Sequence, residues 1–284
     1  MTSRIRRIAA TVGALVLTTA GVVAGTAQSS SAGGTGLRAY AIMANGKQLS
    51  TFTVDKPDEL DWVRNVTGLI TDTTLIGLDF RVQDGQLYGV GNKGGIYTIS
   101  ITNAGALTKV SQLAATLTGT NFDIDFNPAA NRLRIISDTG QNLRHNLDDG
   151  TTVIDPTFTS PPTSGTTTGV TAAAYTNNDL NADTATTLFD LNTTLDQVVI
   201  QSPANNGTLA ATGALGVDAG PNAGLDIFST LVNGKTTTAT AYAVFVPYGG
   251  FNSLYSINLL TGEASLVGEF PLAVSDLALS LTGY

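Results

Sequence analysis

Three features of the 284-residue sequence predict an all-β fold, arranged as a β-propeller of five blades. Short apolar runs, cut by Asn, Asp and Gly, follow one another from residue 37 onward, and no amphipathic stretch long enough for a helix interrupts them. These runs recur in a fixed order about every 50 residues, a spacing typical of propeller blades and too long for most solenoids. The two ends of the pattern are complementary fragments of a single unit.

The first strand of each unit is short and apolar and, in four of five copies, carries an acid. These four are Ile76-Gly77-Leu78-Asp79-Phe80, Phe122-Asp123-Ile124-Asp125-Phe126, Ala223-Gly224-Leu225-Asp226-Ile227 and Val274-Ser275-Asp276-Leu277-Ala278, and residues 170–175 fill the same place without an acid. The second strand brings an aromatic or long side chain, as in Ala39-Tyr40-Ala41-Ile42, Leu87-Tyr88-Gly89-Val90, Leu133-Arg134-Ile135-Ile136, Leu188-Phe189-Asp190-Leu191 and Ala241-Tyr242-Ala243-Val244. The third runs into a turn whose glycine can take positive φ: Gly105, Gly150, Gly207 and Gly262. The pattern enters at Leu37 on a second strand and ends on a first strand at residues 274–281. A ring closed by pairing its termini has this arrangement, and an open solenoid does not. Six blades remain the alternative count, because the Thr/Pro/Gly stretch at 159–169 and the long hairpin at 231–240 blur the repeat.

The residues before the repeats read differently. Arg4, Arg6 and Arg7, an apolar stretch at 8–24 and the small residues Gly25-Thr26-Ala27 form a secretory signal peptide, residues 1–27. A retained membrane anchor is the alternative, since the stretch is borderline in length. Residues 28–36 are a Ser/Gly-rich linker and residues 37–284 a single propeller domain. The expected product is secreted, extracellular, monomeric and free of the membrane once cleaved. Cleavage removes three arginines and no acid, so the formal charge moves from -8 to -11. That balance argues against a nucleic-acid partner. The absence of cysteine excludes disulfides, thiol nucleophiles and zinc fingers.

Asp125-Phe126-Asn127-Pro128-Ala129-Ala130-Asn131-Arg132-Leu133-Arg134 with Asn142-Leu143-Arg144, together with Ile76-Gly77-Leu78-Asp79-Phe80-Arg81, Gly85-Gln86-Leu87-Tyr88, Asn205-Asn206-Gly207-Thr208-Leu209 and Gly213-Ala214-Leu215-Gly216, resembles the secreted bacterial β-propeller family catalogued as domain of unknown function 4394. The resemblance implies a propeller and export. It brings no established activity and no catalytic residues.

Candidate chemistry lies in two sets. If the first strands line the axis, Asp79, Asp125, Asp226 and Asp276 converge there and need protons, arginines or a hard cation such as calcium to offset their repulsion. The bland alternative is that each caps backbone amides of its own blade. Arg132, Arg134 and Arg144 either clamp an anionic ligand or neutralise Asp123, Asp125 and Asp138. His145, the sole histidine, shares parity with Leu143 and Leu147 and is expected to point into blade packing. Trp62 reads as a strand-edge or packing residue. No nucleophile-elbow motif is present, and the mature chain has only Glu59, Glu263 and Glu269 as glutamates. The expected function is therefore an exported module binding an extracellular small ligand, glycan or protein. The alternative is a glycosidase- or lactonase-like hydrolase with axial carboxylates and possible calcium dependence. An enzyme requires an open axial pocket with converging carboxylates; a binding module requires a plugged axis and an exposed aromatic or apolar loop patch.

Overall fold

The computed structural model describes residues 36–283 apart from Ala104. The signal-peptide and linker assignments thus fall outside the described residues, Gly36 excepted. Four antiparallel strands form each of five sheets. Blade 1 holds β1 (Arg38–Met43), β2 (Gln48–Thr53) and β3 (Trp62–Asn65), and blade 2 holds β4 (Leu75–Arg81), β5 (Gln86–Gly91), β6 (Gly95–Ile99) and β7 (Leu107–Gln112). Blade 3 is β8 (Phe122–Asn127), β9 (Arg132–Ser137), β10 (Asn142–His145) and β11 (Thr152–Ile154), and blade 4 is β12 (Val170–Tyr175), β13 (Leu188–Asn192), β14 (Gln197–Gln201) and β15 (Leu209–Ala214). Blade 5 is β16 (Ala219–Val232), β17 (Lys235–Pro247), β18 (Ser253–Ile257) and β19 (Ala264–Glu269). The last strand, β20 (Val274–Leu279), returns to blade 1 and pairs with β1, Ala39 opposite Leu279 and Ile42 opposite Asp276. The blade count is five, which removes the six-blade alternative, and closure by the terminal strands is as the repeat ends require. A single 3-10 turn, Ala204–Asn206, is the only helical element among the described residues.

The core is divided among the seams between blades. Alternate residues of each strand face opposite neighbours, so each seam collects an apolar layer from two adjacent sheets. The recurrent second-strand tyrosine packs edge-on against the first-strand phenylalanine of the following blade: Tyr40 on Phe80 at 5.4 Å and Tyr88 on Phe126 at 5.2 Å between ring centres. Trp62 opens the outer strand β3 and packs into the seam between blades 1 and 2. The seam between blades 3 and 4 has the smallest apolar layer, built around Ile136, Phe158, Val170 and Leu188. Arg134, Asn142, Asp190 and Gln201 are buried in the same two blades.

The inner strands β4, β8, β12, β16 and β20 run in one sense around the axis, so their first residues gather at one face and their last at the other. They approach closely enough to close the channel. A Cβ on Gly224 would stand 2.3 Å from Oδ1 of Asp276 on the neighbouring inner strand, which only glycine permits.

Candidate functional site

Each inner strand is paired on one side only, leaving edge amides directed at the axis that need acceptors. The recurring acids supply them. One carboxylate oxygen accepts the amide of the next residue: Phe80 N on Asp79 (2.6 Å), Ile124 N on Asp123 (2.7 Å), Ile227 N on Asp226 (2.5 Å) and Leu277 N on Asp276 (2.8 Å). The other oxygen reaches the adjacent blade. Leu78 N donates to Asp276 (2.8 Å), Phe126 N to Asp79 (2.7 Å), Ala173 N to Asp123 (2.9 Å) and Leu279 N to Asp226 (2.6 Å). Blade 4 has no acid on β12, and Asp123 spans that gap by also accepting Leu225 N from blade 5 at 3.2 Å. The acids therefore cap amides of their own blade and also staple it to a neighbour, with Asp123 of blade 3 holding both blade 4 and blade 5.

Burial pushes all these carboxyls up. Asp123 rises to about 8 and Asp226 to about 6, chiefly through desolvation. Desolvation and then repulsion from Asp226 raise Asp79, desolvation and then Asp79 raise Asp125, and desolvation and then Asp123 raise Asp276.

The acids occupy two levels. Asp79, Asp125 and Asp226 each offer an oxygen within 4.8 Å of the others. Asp276 does not join them. Asp79, Asp125 and Asp226 stand opposite Tyr88, Arg134 and Tyr242, whereas Asp276 stands opposite Ile42, two residues along the strand and level with Asp123 opposite Ile136. One strand repeat, about 7 Å, separates the levels. The three converging acids, with Tyr175 and Asn177, border a cavity of about 10 Å³ at the ends of the inner strands. That is room for one water or one bare ion. Three carboxylates suit a hard cation.

At the opposite face the inner strands begin, and there the axis opens into a mouth of about 380 Å³. Asn45, Thr74, Thr120, Asn121, Phe122, Asn222 and Ser275 line it, with no charged side chain. Asn45 stands on the β1–β2 turn, where Gly46 has φ +83 and its carbonyl accepts Leu75 N at 2.9 Å, tying blade 1 to blade 2. Asp138 fixes the third wall by accepting Thr120 N (3.0 Å), Thr120 Oγ1 (2.6 Å) and Asn121 Nδ2 (3.0 Å). Asn222 belongs to a bulge: Ala219 pairs with Pro247 and Ala223 with Phe245, so residues 220–222 are pushed out of register beside Val246. Bulges re-aim side chains in this way and recur next to binding sites. The side chains of Asn45, Thr74 and Asn222 form no hydrogen bond within the described residues. Sequence reasoning did not identify this mouth, although Gly220-Pro221-Asn222 inside a strand pattern is a bulge signal.

The three arginines do not converge on one point. Arg134 is 1% exposed, and its N–H groups go to Asn142 Oδ1 (2.6 Å), Asp155 Oδ2 (2.7 Å), Asn205 Oδ1 (2.8 Å) and the Tyr175 hydroxyl (3.2 Å). Arg144 grips the same Asp155 through Nε and Nη2 at 2.7 and 2.8 Å. Arg132 donates to the carbonyls of Ala130 and Asn131 in its own hairpin. The acid that Arg134 and Arg144 neutralise is Asp155, in place of the expected Asp123, Asp125 and Asp138, because the outer loop after β11 folds back over β10.

His145 is fully buried in the blade 2–3 seam, as its parity requires. A serine does stand beside it: Ser111 Oγ is 2.8 Å from Nε2, and Thr152 Oγ1 is 2.9 Å from Nδ1. Thr152 Oγ1 already accepts Ala114 N at 3.0 Å. Both ring nitrogens are thus engaged by hydroxyls, one from blade 2 and one from its own blade, and burial lowers the ring's pKa, so the imidazole is a neutral tether between blades. His145→Ala is expected to cost about 2–3 kcal/mol through lost hydrogen bonds and a cavity. Urea denaturation measures this, and an unchanged midpoint would contradict the tethering role.

These features define the class: a five-bladed β-propeller whose axis is sealed by buried acids at one end and opens into an uncharged polar mouth at the other. The chain belongs to the family described as domain of unknown function (DUF4394), whose model matches residues 48–278. No curated protein matches it. Among solved structures it is similar to a nidogen/laminin complex, with 10% identity and a TM-score of 0.49 over 86% of this chain and 99% of that one. It is also similar to a glutaminyl cyclase from Myxococcus xanthus, with 12% identity and a TM-score of 0.48 over 80% of this chain and 94% of the other. A protein of unknown function from Bacteroides thetaiotaomicron shares 15% identity, with a TM-score of 0.44 over 80% of this chain and 56% of that one.

Proposed function

We propose that this propeller is an exported binding module that holds a small, neutral, hydroxyl-rich ligand in its axial mouth. The observation that carries this reading is the chemistry of the mouth: amides and hydroxyls from blades 1, 2, 3 and 5, no charge, and three side chains whose hydrogen-bonding groups are uncommitted. Its volume falls in the range of small-molecule sites. Groups that both donate and accept suit a ligand that does the same, and an uncharged wall gives an ionic ligand nothing to pair with. The hydrolase alternative has its converging carboxylates, but the cavity beside them admits one water and no substrate. No helix among the described residues is long and apolar enough to cross a membrane.

Calorimetric titration with a panel of neutral mono- and oligosaccharides tests the reading. Saturable binding is expected, weakened tenfold or more in Asn222→Leu and Thr74→Val, each of which leaves ligand hydroxyls unpaired. Absence of binding across the panel, or affinities untouched by both substitutions, would overturn it.

A further inference from the structure

The mouth is not the only unusual surface on its face of the ring. The β17–β18 turn carries Tyr248 at 86% and Phe251 at 69% exposed, and Leu272 in the neighbouring β19–β20 connection is 49% exposed. Such rings are costly to hold in water, and the backbone beneath them is firmly anchored. Tyr248 N donates to Asp218 O at 2.8 Å and Gly250 N to Pro247 O at 2.9 Å. Asn252 clamps the two connections together, its Nδ2 donating to Val274 O at 2.8 Å and its Oδ1 accepting Val274 N at 2.9 Å. Phe270 N adds a bond to Asn252 O at 2.9 Å. The turn is therefore a braced support presenting two aromatic faces outward.

This support adjoins the mouth on two sides. Ser275, which lines the mouth, directly follows the clamped Val274. Across the sheet, the bulge that pushes out Asn222 lies beside Val246, two residues before Tyr248. Tyr248 itself is bonded to Asp218, four residues before Asn222 on the facing segment. An uncharged hydrogen-bonding pocket next to exposed aromatic rings offers complementary surfaces to one kind of molecule, a chain of sugar rings, whose edges bear hydroxyls and whose faces are apolar.

We infer that the Tyr248–Phe251 turn is a stacking subsite continuous with the mouth, and that the ligand is a neutral oligosaccharide longer than the mouth alone accommodates. This rests on the reading of the mouth as a site for a neutral, hydroxyl-rich ligand. The rings would cover the apolar faces of sugar units that emerge from the mouth, a contact that buries aromatic area without requiring charge. A protein partner seated on the same rings is the competing occupant, and nothing beneath them selects for it, whereas the adjoining pocket selects for hydroxyls.

Calorimetry with a neutral monosaccharide and its tetra- and hexasaccharides separates the two levels of the argument. In the unaltered chain the longer sugars are expected to bind at least tenfold more tightly than the monosaccharide. Tyr248→Ala and Phe251→Ala should remove that gain and leave monosaccharide affinity and melting temperature unchanged, since neither ring is in the core. Asn222→Leu should weaken every length. Oligosaccharides that bind no better than the monosaccharide, or binding indifferent to both aromatic substitutions, would overturn the stacking subsite while leaving the mouth reading intact. Failure of all sugars to bind would sink both. An interaction with another protein lost in Tyr248→Ala, with sugar affinity unchanged, would assign the turn to a protein partner instead.

Discussion

Arg134→Met is expected to destabilise the propeller by about 3–5 kcal/mol, the range found when one partner of a buried ionic network is removed. Methionine keeps the apolar stem of the side chain and removes the guanidinium, so most of the loss comes from the polar contacts. Those contacts cross the seam between blades 3 and 4, from β9 to Tyr175 on β12 and Asn205 in the 3-10 turn. This is also the seam with the smallest apolar layer, where polar contacts matter more to cohesion. Arg144→Met removes a bidentate grip on the same acid but leaves Arg134 paired with Asp155, and its side chain is 28% exposed. It should cost roughly 1 kcal/mol. Arg132→Ala, which loses only contacts to two carbonyls of its hairpin, should fall within about 0.5 kcal/mol of the parent. In a domain of this size the first change corresponds to a fall in Tm on the order of 10 °C. Denaturant midpoints for the three variants test the order, and a cost at Arg144 equal to that at Arg134 would show that the seam is not held as described.

The architecture was legible because it is written five times. Alternating short runs, glycine turns and the split first unit fix the strand order and the ring closure without tertiary information. The acids of the inner strands were legible as a set for the same reason. Their work was not, because it depends on contacts between residues as far apart as Leu78 and Asp276, 198 positions in sequence. Their division into two levels follows from strand register, and reading them by place in the repeat put Asp276 with the wrong partners. Asp155 gave no signal at all: it lies outside any strand, and only the return of its loop over β10 brings it between two arginines. The mouth was illegible for a related reason. Asn45, Thr74 and Asn121 come from three connections and Asn222 from a bulge inside β16, all in different blades, and each taken alone is an ordinary polar residue of a Thr- and Asn-rich chain. Tyr248 and Phe251 are likewise two aromatics among many until their exposure is known.

Stability should fall as the pH rises from about 4 to 8, the reverse of what paired surface carboxylates produce. The sign follows from the axial acids. Their folded pKa values stand above the unfolded value of about 3.9, with Asp226 at about 6 and Asp123 at about 8. Burial likewise raises Asp190, whose two oxygens have no partner among the described residues. Below the unfolded value both states are protonated and the full contribution is present. As pH climbs, the unfolded chain releases protons that the folded axis retains. Each group then costs about 1.4 kcal/mol per pH unit until its folded pKa is passed: to about pH 6 for Asp226 and about pH 8 for Asp123. Asp138 acts in the opposite sense. Burial works to raise it, but hydrogen bonds from Thr120 and Asn121 lower it overall, so its contribution is present above the unfolded value and is lost in stronger acid. The optimum should therefore lie near pH 4–5. Urea denaturation of chelator-treated protein across pH 4–9 measures the slope, and stability that is flat or rising between pH 5 and 8 would contradict a protonated axis. Calcium divides the two levels. Millimolar calcium should raise Tm at pH 8, where it replaces protons among Asp79, Asp125 and Asp226, and have no effect at pH 4.5, where protons already occupy them. Asp125→Asn should abolish the calcium response. Asp123→Asn, one level away, should flatten the pH slope and leave the response to calcium in place; loss of that response in Asp123→Asn would mean that the ion does not sit at the three-acid level.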